Sequence, residues 1–266
     1  MTRTLSLAHL SAIDLPPPAL IEAAASAGFD AVGLRLLRVT DDSPGYPLTS
    51  AADLRATRSA LKATGLKVSD VEFLRLTPDF RLNSLLPVLD TGAELAARTV
   101  IAAPYDADLS RLSANLAALS RAAADRGLRV VLEFFPWTPV PDLATCWQVV
   151  QAAGPLPGLL VDALHFSRSG STLDQLAAIP PDRLPFAHLC DAPVQASYTT
   201  EELLAAARGE RLAPGEGQID LPGLLRTLPA DLPLGLEVPG PLRAGETVTD
   251  RLRRIHQAMS TLLNRL

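Results

Sequence analysis

The chain has 266 residues, of which 48% are hydrophobic and 20% are charged, so it can bury one large core. The formal net charge of −5 and the lack of a basic run are unfavourable for binding a polyanion, and nucleic acid is not expected as a partner. The two cysteines, Cys146 and Cys190, suggest neither a disulfide framework nor a zinc cluster, which favours a cytoplasmic protein. The N-terminal segment lacks a signal-peptide core and no window is apolar enough to span a bilayer, so no membrane partner is expected.

Lysine is scarce, because Lys62 and Lys67 are the only two in the chain. Both precede a predicted strand and neither lies at a strand end or in a glycine-rich loop. Schiff-base aldolases, pyridoxal-phosphate enzymes and P-loop NTPases all need a lysine at such a position. These three classes are therefore excluded.

Helical and strand patterns alternate along the chain. Alanine- and leucine-rich stretches with helical spacing end in glycine at 18–28, 50–65 and 142–154, and a short apolar run follows each. Eight such runs, the number that closes a barrel, give a single (β/α)₈ TIM barrel over residues 1–266 as one domain. The predicted strands lie near 4–10, 29–36, 68–75, 98–103, 129–135, 158–163, 185–190 and 233–238.

An open doubly wound sheet is the rival architecture. It would usually carry a glycine-rich phosphate loop after its first strand, whereas this chain continues into SAIDLPPP. The longest irregular connection is 191–220, with a short helix predicted at 199–209. A long connection after a barrel strand is a candidate lid over an active site.

Polar residues interrupt four apolar strands near their C-terminal ends, where barrels place catalytic groups. A buried carboxylate is costly unless a cation or hydrogen bonds compensate it. Each residue alone could form a salt bridge or a helix cap, but four around one ring indicate a shared divalent ion. Three carboxylates and one imidazole suit Mn²⁺ first, with Mg²⁺, Co²⁺ or Zn²⁺ as alternatives. The proposed metal ligands are Glu133, Asp162, His188 and Glu237.

The order of these motifs resembles the xylose-isomerase-like sugar isomerases and epimerases, a TIM-barrel superfamily to which endonuclease IV is related. The resemblance covers nearly the whole chain. It implies the same four metal ligands, places His165 and Arg211 against substrate oxygens, and leaves a homo-oligomer open. Its motifs are the strand-five glutamate, Asp-x-x-His at 162–165, His-x-x-Asp at 188–191, Arg-x-x-Pro-Gly-Glu-Gly at 211–217 and the strand-eight glutamate.

The expected activity is a metal-dependent isomerase or epimerase acting on a sugar, keto-sugar or polyol. A metal that chelates a ketone and the neighbouring hydroxyl stabilises the enediolate formed when the α-proton leaves. Glu133 and Glu237 are the predicted catalytic bases, one taking a proton and the other returning one. Loss of a β-hydroxyl from the same enediolate would make the enzyme a dehydratase of keto-inositol or shikimate type. A non-catalytic barrel that serves as a binding subunit is the alternative class.

Three further residues near the strand ends have two interpretations each. His165 contacts substrate or acts as a hydrogen-bond donor behind the ligands. Asp191 orients His188 or a metal-bound water, or it caps the following loop. Arg211 reaches a substrate hydroxyl or phosphate, or it is a surface arginine.

The remaining candidates would line the rest of the pocket. Trp137 is expected to form an apolar wall against a sugar. His9, predicted on strand one, is expected to bind substrate from the other side. Glu72 and Arg75 on strand three point to opposite faces, so only one of them can face inwards.

Two departures from the family pattern limit the inference. After strand four the chain reads AAPYDAD where many relatives have a histidine, and it contains only four histidines in all. An endonuclease-type trinuclear site needs more imidazoles, which disfavours DNA repair. Only Gly240 is an obvious glycine for a phosphate loop after strands seven and eight, so phosphorylation of the substrate stays open.

Overall fold

Eight parallel strands form a closed barrel in the order of the sequence, which confirms the predicted (β/α)₈ fold. The computed structural model describes residues 3–40, 43–48 and 50–266, so the first two residues of the N-terminal segment discussed above lie outside it. The strands are β1 (Leu5–Leu7), β2 (Ala31–Arg35), β3 (Lys67–Leu76), β4 (Thr99–Pro104), β5 (Arg129–Glu133), β6 (Gly158–Asp162), β7 (Ala187–Leu189) and β8 (Leu234–Leu236).

Helices fill the connections, and capping side chains set where several of them begin. Ser50 accepts a hydrogen bond from the backbone of Asp53, and Asp108 and Asp142 cap two later helices in the same way. The helices are α1 (Pro17–Ala27), α2 (Ala51–Thr64), α3 (Leu82–Glu94), α4 (Leu109–Ala124), α5 (Leu143–Ala152), α6 (Ala163–Arg168), α7 (Leu173–Ala177), α8 (Thr200–Gly209), α9 (Leu221–Thr227) and α10 (Val248–Leu263).

Strand one is shorter than predicted. The expected strand 4–10 ends at Leu7, and residues His9–Ala12 form a 3₁₀ turn instead. The turn is held to β8 because the Ser11 hydroxyl donates to the carbonyl of Leu236 and accepts from the backbone N–H of Val238. The placement of His9 on strand one is therefore wrong.

Side-chain alternation along the strands divides the core into two parts. On β5, Val130 and Leu132 pack outwards against the helices, whereas Val131 and Glu133 alternate with them and face the barrel interior. The interior apolar cluster sits towards β3–β7 and consists of Phe73, Ile101, Ala103, Val131, Phe135, Leu160 and Phe186.

On the opposite side of the interior, β2 and β8 carry glycines whose missing side chains leave room for polar groups. A Cβ atom added to Gly33 would lie 2.6 Å from Oδ1 of Asp70, a residue of β3. A Cβ atom added to Gly235 would lie 2.6 Å from Cδ2 of His188, a residue of β7. Glycine at these two positions therefore lets two polar side chains lie flat against neighbouring strands.

The long connection after β7 is partly built into the barrel wall. Asp191 pairs with Leu212 in an antiparallel bridge, and α8 confirms the helix predicted at 199–209. Residues 193–197 are exposed, but Arg211 is only 5% exposed because the bridge turns it inwards. In the described part of the chain, no helix has the length and apolar character needed to cross a membrane.

Replacing Gly235 with alanine tests the close packing of β8 against His188. We expect Gly235→Ala to lower the free energy of unfolding by about 1–3 kcal/mol, because its methyl group overlaps the imidazole. The measurement is urea denaturation followed by circular dichroism. The matched control is Gly209→Ala, because an added Cβ there meets no atom within 4 Å. Equal stability of the two variants would contradict the packing described.

Candidate metal centre

The four predicted ligands come together at the C-terminal mouth of the barrel. Glu133 and Asp162 are the last residues of β5 and β6, His188 lies in β7, and Glu237 follows β8 directly. One ligand atom from each residue lies within 4.8 Å of the ligand atoms of the other three, and all four residues are buried. This end of the barrel therefore holds a compact set of three carboxylates and one imidazole.

Asp162 is fixed by its position between a strand and a helix. Its Oδ1 accepts hydrogen bonds from the backbone N–H groups of Leu164 (2.9 Å) and His165 (3.1 Å), so it caps the N-terminus of α6. Burial alone would raise the pKa of this carboxyl, but Arg211 and then His165 outweigh it and hold the pKa at about 2. Asp162 is therefore ionised at neutral pH.

Arg211 joins two of the carboxylates. One guanidinium nitrogen donates to Oδ2 of Asp162 at 2.6 Å and another lies 2.7 Å from Oε2 of Glu237. The burial of Arg211 excludes its interpretation as a surface arginine. Its bonds to the carboxylates place it at the edge of the cluster, where a bound small molecule would meet it.

The described residues fit a divalent cation. Both ring nitrogens of His188 are buried without a hydrogen-bond partner, and Nδ1 lies 3.8 Å from Oε2 of Glu237. Ligand atoms on opposite sides of an ion bound at about 2.1–2.3 Å are separated by up to about 4.6 Å, so only a small contraction of the cluster is needed. Burial, then Glu237 and Asp162, raises the pKa of Glu133 well above its usual value, and Arg211 opposes this shift.

His165 faces the same cluster from α6. Its Nε2 lies 3.9 Å from Oε1 of Glu133 and 4.0 Å from Oδ1 of Asp162. The rings of Phe135 and Trp137 pack edge-on against it at 4.8 and 5.2 Å between centroids. Burial lowers the pKa of His165 to about 4, so the imidazole is neutral at pH 7 and can donate or accept one hydrogen bond.

Trp137 is half-buried beside His165 and also packs against Phe135 at 5.2 Å. It therefore stands where the predicted apolar wall would be.

Asp191 lies outside the four-residue cluster and binds the backbone of the loop that follows β7. Its oxygens accept from the backbone N–H groups of Ala192, Gly215 and Ile219, at 2.9, 2.9 and 3.0 Å. Of the two interpretations of Asp191, these bonds correspond to loop capping.

His9 is fully buried, so its ring does not face an open pocket. Its Nδ1 accepts from the backbone N–H of Arg35 at 2.8 Å, and Nε2 lies 2.9 Å from the carbonyl of Leu15. The ring stacks on Tyr46 at 5.1 Å, and burial lowers its pKa to about 4. Because both nitrogens bond to backbone, the structure uses His9 to hold the end of β2, and this geometry gives no support to the predicted substrate contact.

Two acidic residues of β3 form a second layer behind the ligands. Glu72 faces inwards and pairs with Arg35 at 3.3 Å, and Arg75 is exposed with its guanidinium over the ring of Tyr105. The register of β3 shifts between Val71 and Leu74, so the simple alternation predicted from Glu72 to Arg75 does not hold there. Asp70, two residues before Glu72, also faces inwards, and burial raises its pKa to about 6 although His188 opposes this shift. Sequence reasoning missed Asp70, yet its spacing of two from Glu72 was the signal.

The profile of the xylose isomerase-like TIM barrel family matches residues 21–259, and the chain belongs to this family. A 3-dehydroshikimate dehydratase of Pseudomonas aeruginosa PAO1 is 30% identical over 83% of this chain and 36% of its own length. This chain thus spans about a third of that relative.

Two solved structures show the same fold. A xylose isomerase-like TIM barrel/4-hydroxyphenylpyruvate dioxygenase fusion protein matches with a TM-score of 0.80 and 24% identity, over 97% of this chain and 42% of its own. The IOLI protein with a bound zinc atom matches with a TM-score of 0.80 and 18% identity, over 98% of each chain. These two similarities show that the barrel fold is shared.

Removing one carboxylate charge tests the metal centre directly. We expect Glu133→Gln to weaken Mn²⁺ binding at least about tenfold, because an amide oxygen is a weaker ligand than a carboxylate. Isothermal titration calorimetry with Mn²⁺ measures the effect. Glu210→Gln is the matched control, since Glu210 is exposed and outside the cluster. Equal affinity in both variants would remove the basis for this site.

The two buried histidines should titrate well below the ordinary range. Since burial lowers the pKa of both His9 and His165 to about 4, their ring protons should not shift between pH 7 and pH 5. A solvent-exposed imidazole with a pKa of about 6.5 becomes protonated across that interval. NMR titration measures this, with resonances assigned by their loss in His165→Asn and His9→Asn. A midpoint near 6.5 would contradict the burial described.

Proposed function

We propose that this chain is a divalent-metal-dependent enzyme that removes the proton next to a ketone in a small hydroxylated molecule and then eliminates water. The observation that carries the proposal is the buried cluster of three carboxylates and one imidazole. Two of its carboxylates, Glu133 and Glu237, come from strands three positions apart around a ring of eight. They can therefore approach one bound molecule from different sides.

The residues divide the proton transfers between them. The ion would supply positive charge at the ketone oxygen, which lowers the barrier to losing the α-proton. Glu237, which lies 2.7 Å from a guanidinium nitrogen of Arg211, would accept this proton. Glu133, which faces the same point from β5, would return a proton to the departing β-hydroxyl. The net change is one new carbon–carbon double bond and one released water.

The activity of a similar protein supports elimination of water more than isomerisation. Isomerisation or epimerisation was the first expectation from the sequence and a dehydratase the second. The relative at 30% identity is a 3-dehydroshikimate dehydratase, which supports the second. We therefore infer a cyclic hydroxy-ketone of that type as the substrate class, with Trp137 beside His165 as its apolar wall.

Epimerisation or aldose–ketose isomerisation of a sugar or polyol is the second candidate. It is favoured by the placement of Glu133 and Glu237, because a proton taken by one carboxylate and returned by the other inverts the carbon. Both candidates need the same ion and the same first step, and they differ in whether a β-hydroxyl leaves.

The ion and the cellular setting belong to the proposal as well. An oxygen-rich ligand set with one imidazole suits Mn²⁺ best, with Mg²⁺ and Co²⁺ as alternatives. Zn²⁺ is also an alternative, which the zinc-binding neighbour supports. One domain over residues 1–266, a homo-oligomer and a cytoplasmic location stay predictions.

Activity assays with 3-dehydroshikimate and a panel of ketoses, each with Mn²⁺, test the proposal. We expect an absorbing product from 3-dehydroshikimate, and Glu237→Gln should reduce kcat at least about 100-fold because a general base is lost. Ultraviolet absorbance and mass spectrometry measure elimination as the loss of one water.

The same reactions in D₂O separate the candidates. Deuterium gained by a ketose without loss of water would replace elimination by epimerisation or isomerisation. Glu210→Gln should keep full activity, and the thermal midpoint of Glu237→Gln should match that of the parent. If wild-type protein with bound Mn²⁺ neither eliminates water nor exchanges deuterium, the chain is a binding barrel and both enzymatic candidates fail.

A further inference from the structure

The N-terminal mouth of the barrel, at the opposite end from the metal centre, opens into a cavity of about 1140 Å³. One acidic residue, Asp30, lines it. This concentration of positive charge occurs in a chain whose formal net charge is −5, so it does not reflect the overall composition. The basic residues that line the cavity are Arg3, Lys67, Arg98, Arg129 and Arg226.

Arg129 lines this mouth from the first position of β5. It begins β5 and is two and four residues from the inward-facing Val131 and Glu133, so alternation directs it into the barrel. Its Nε is buried without a hydrogen-bond partner and would lie 3.3 Å from a Cβ atom added to Gly158 on β6. Burial, with a further contribution from Arg183, lowers the pKa of this guanidinium.

The surrounding cations form no close ion pairs among the described residues, and Asp182 and Asp231 act on Arg129 and Arg3 only at longer range. Within residues 3–40, 43–48 and 50–266, no carboxylate forms an ion pair with Arg129, and the exposed Lys67, Arg98 and Arg226 make neither ion pairs nor side-chain hydrogen bonds. The carboxylate of Asp30 already accepts from the backbone N–H of Leu5 at 2.9 Å.

Arg3 is the most constrained of the five. It donates to the carbonyls of Ala230 and Leu225, both at 3.0 Å, while its Nη1 is buried without a partner. Unpaired guanidinium groups that converge on one cavity favour an anionic occupant, because planar N–H donors bind carboxylate and phosphate oxygens with charge-assisted hydrogen bonds.

The cavity also has an apolar wall. Leu66, Pro185 and Leu263 line it and are half-buried. An occupant that meets both features carries several negative charges on a small carbon skeleton. Inorganic phosphate would satisfy the guanidinium groups alone, whereas an organic anion would also cover these apolar side chains.

We propose that the N-terminal mouth is a binding site for a small, multiply charged organic oxyanion, with Arg129 as its anchor. Carboxylate and phosphate groups share the chemistry that this site recognises. The site is separated from the metal centre by the length of the barrel strands, and the proposal does not depend on the proposed activity.

Titration calorimetry at constant ionic strength tests the site with three probes. Tricarballylate carries three carboxylates on a carbon skeleton, inorganic phosphate carries charge alone, and acetate is the monoanionic control. We expect saturable binding of tricarballylate, weaker binding of phosphate and none of acetate. Phosphate binding more tightly than tricarballylate would assign the site to phosphate groups, and no saturable binding of either polyanion would overturn the proposal.

Variants then locate the bound anion. Arg129→Gln should weaken tricarballylate binding at least about tenfold through loss of charge-assisted bonds, whereas Arg121→Gln, on the exposed face of α4, should leave it unchanged. If Arg129→Gln does not fold by circular dichroism, Arg98→Gln and Arg226→Gln on the rim serve in its place. Unchanged affinity in the mouth variants, or loss of binding in Glu133→Gln at the other end, would refute this location.

Discussion

The structure depends on the convergence of three carboxylates on one buried point. Glu133, Asp162 and Glu237 repel one another in a region with little water, and this repulsion must be compensated for the barrel to remain folded. Arg211 bonds two of them, whereas Glu133 has no ion pair with an arginine or lysine among the described residues. A divalent ion, as proposed above, would complete the compensation at this point.

The long connection after β7 belongs to this compensation. It was predicted as a candidate lid, and its bridge between Asp191 and Leu212 turns Arg211 into the interior. The three backbone N–H groups bound by Asp191 hold the loop in this position. Movement of the loop would withdraw the guanidinium of Arg211 from Asp162 and Glu237.

The parallel strands place residues of different charge at the two mouths of the barrel. β5 begins with Arg129 and ends with Glu133, and every other strand contributes its first residues to one mouth and its last residues to the other. The clustered carboxylates lie at the C-terminal end and several basic residues at the N-terminal end. The two proposed sites, one for a cation and one for an anion, therefore lie at opposite ends of the barrel.

The sequence by itself determined the barrel, most strand positions and the four clustered residues, because a charged residue inside an apolar run is a local signal and parallel strands bring such residues to one end. Asp70 was within reach of the same alternation. Only the tertiary structure decided that His9 bonds to backbone and that Arg211 is buried, since both depend on partners distant in the chain. The basic mouth was likewise invisible in sequence, because residues from Arg3 to Arg226 look like separate surface charges until the barrel closes.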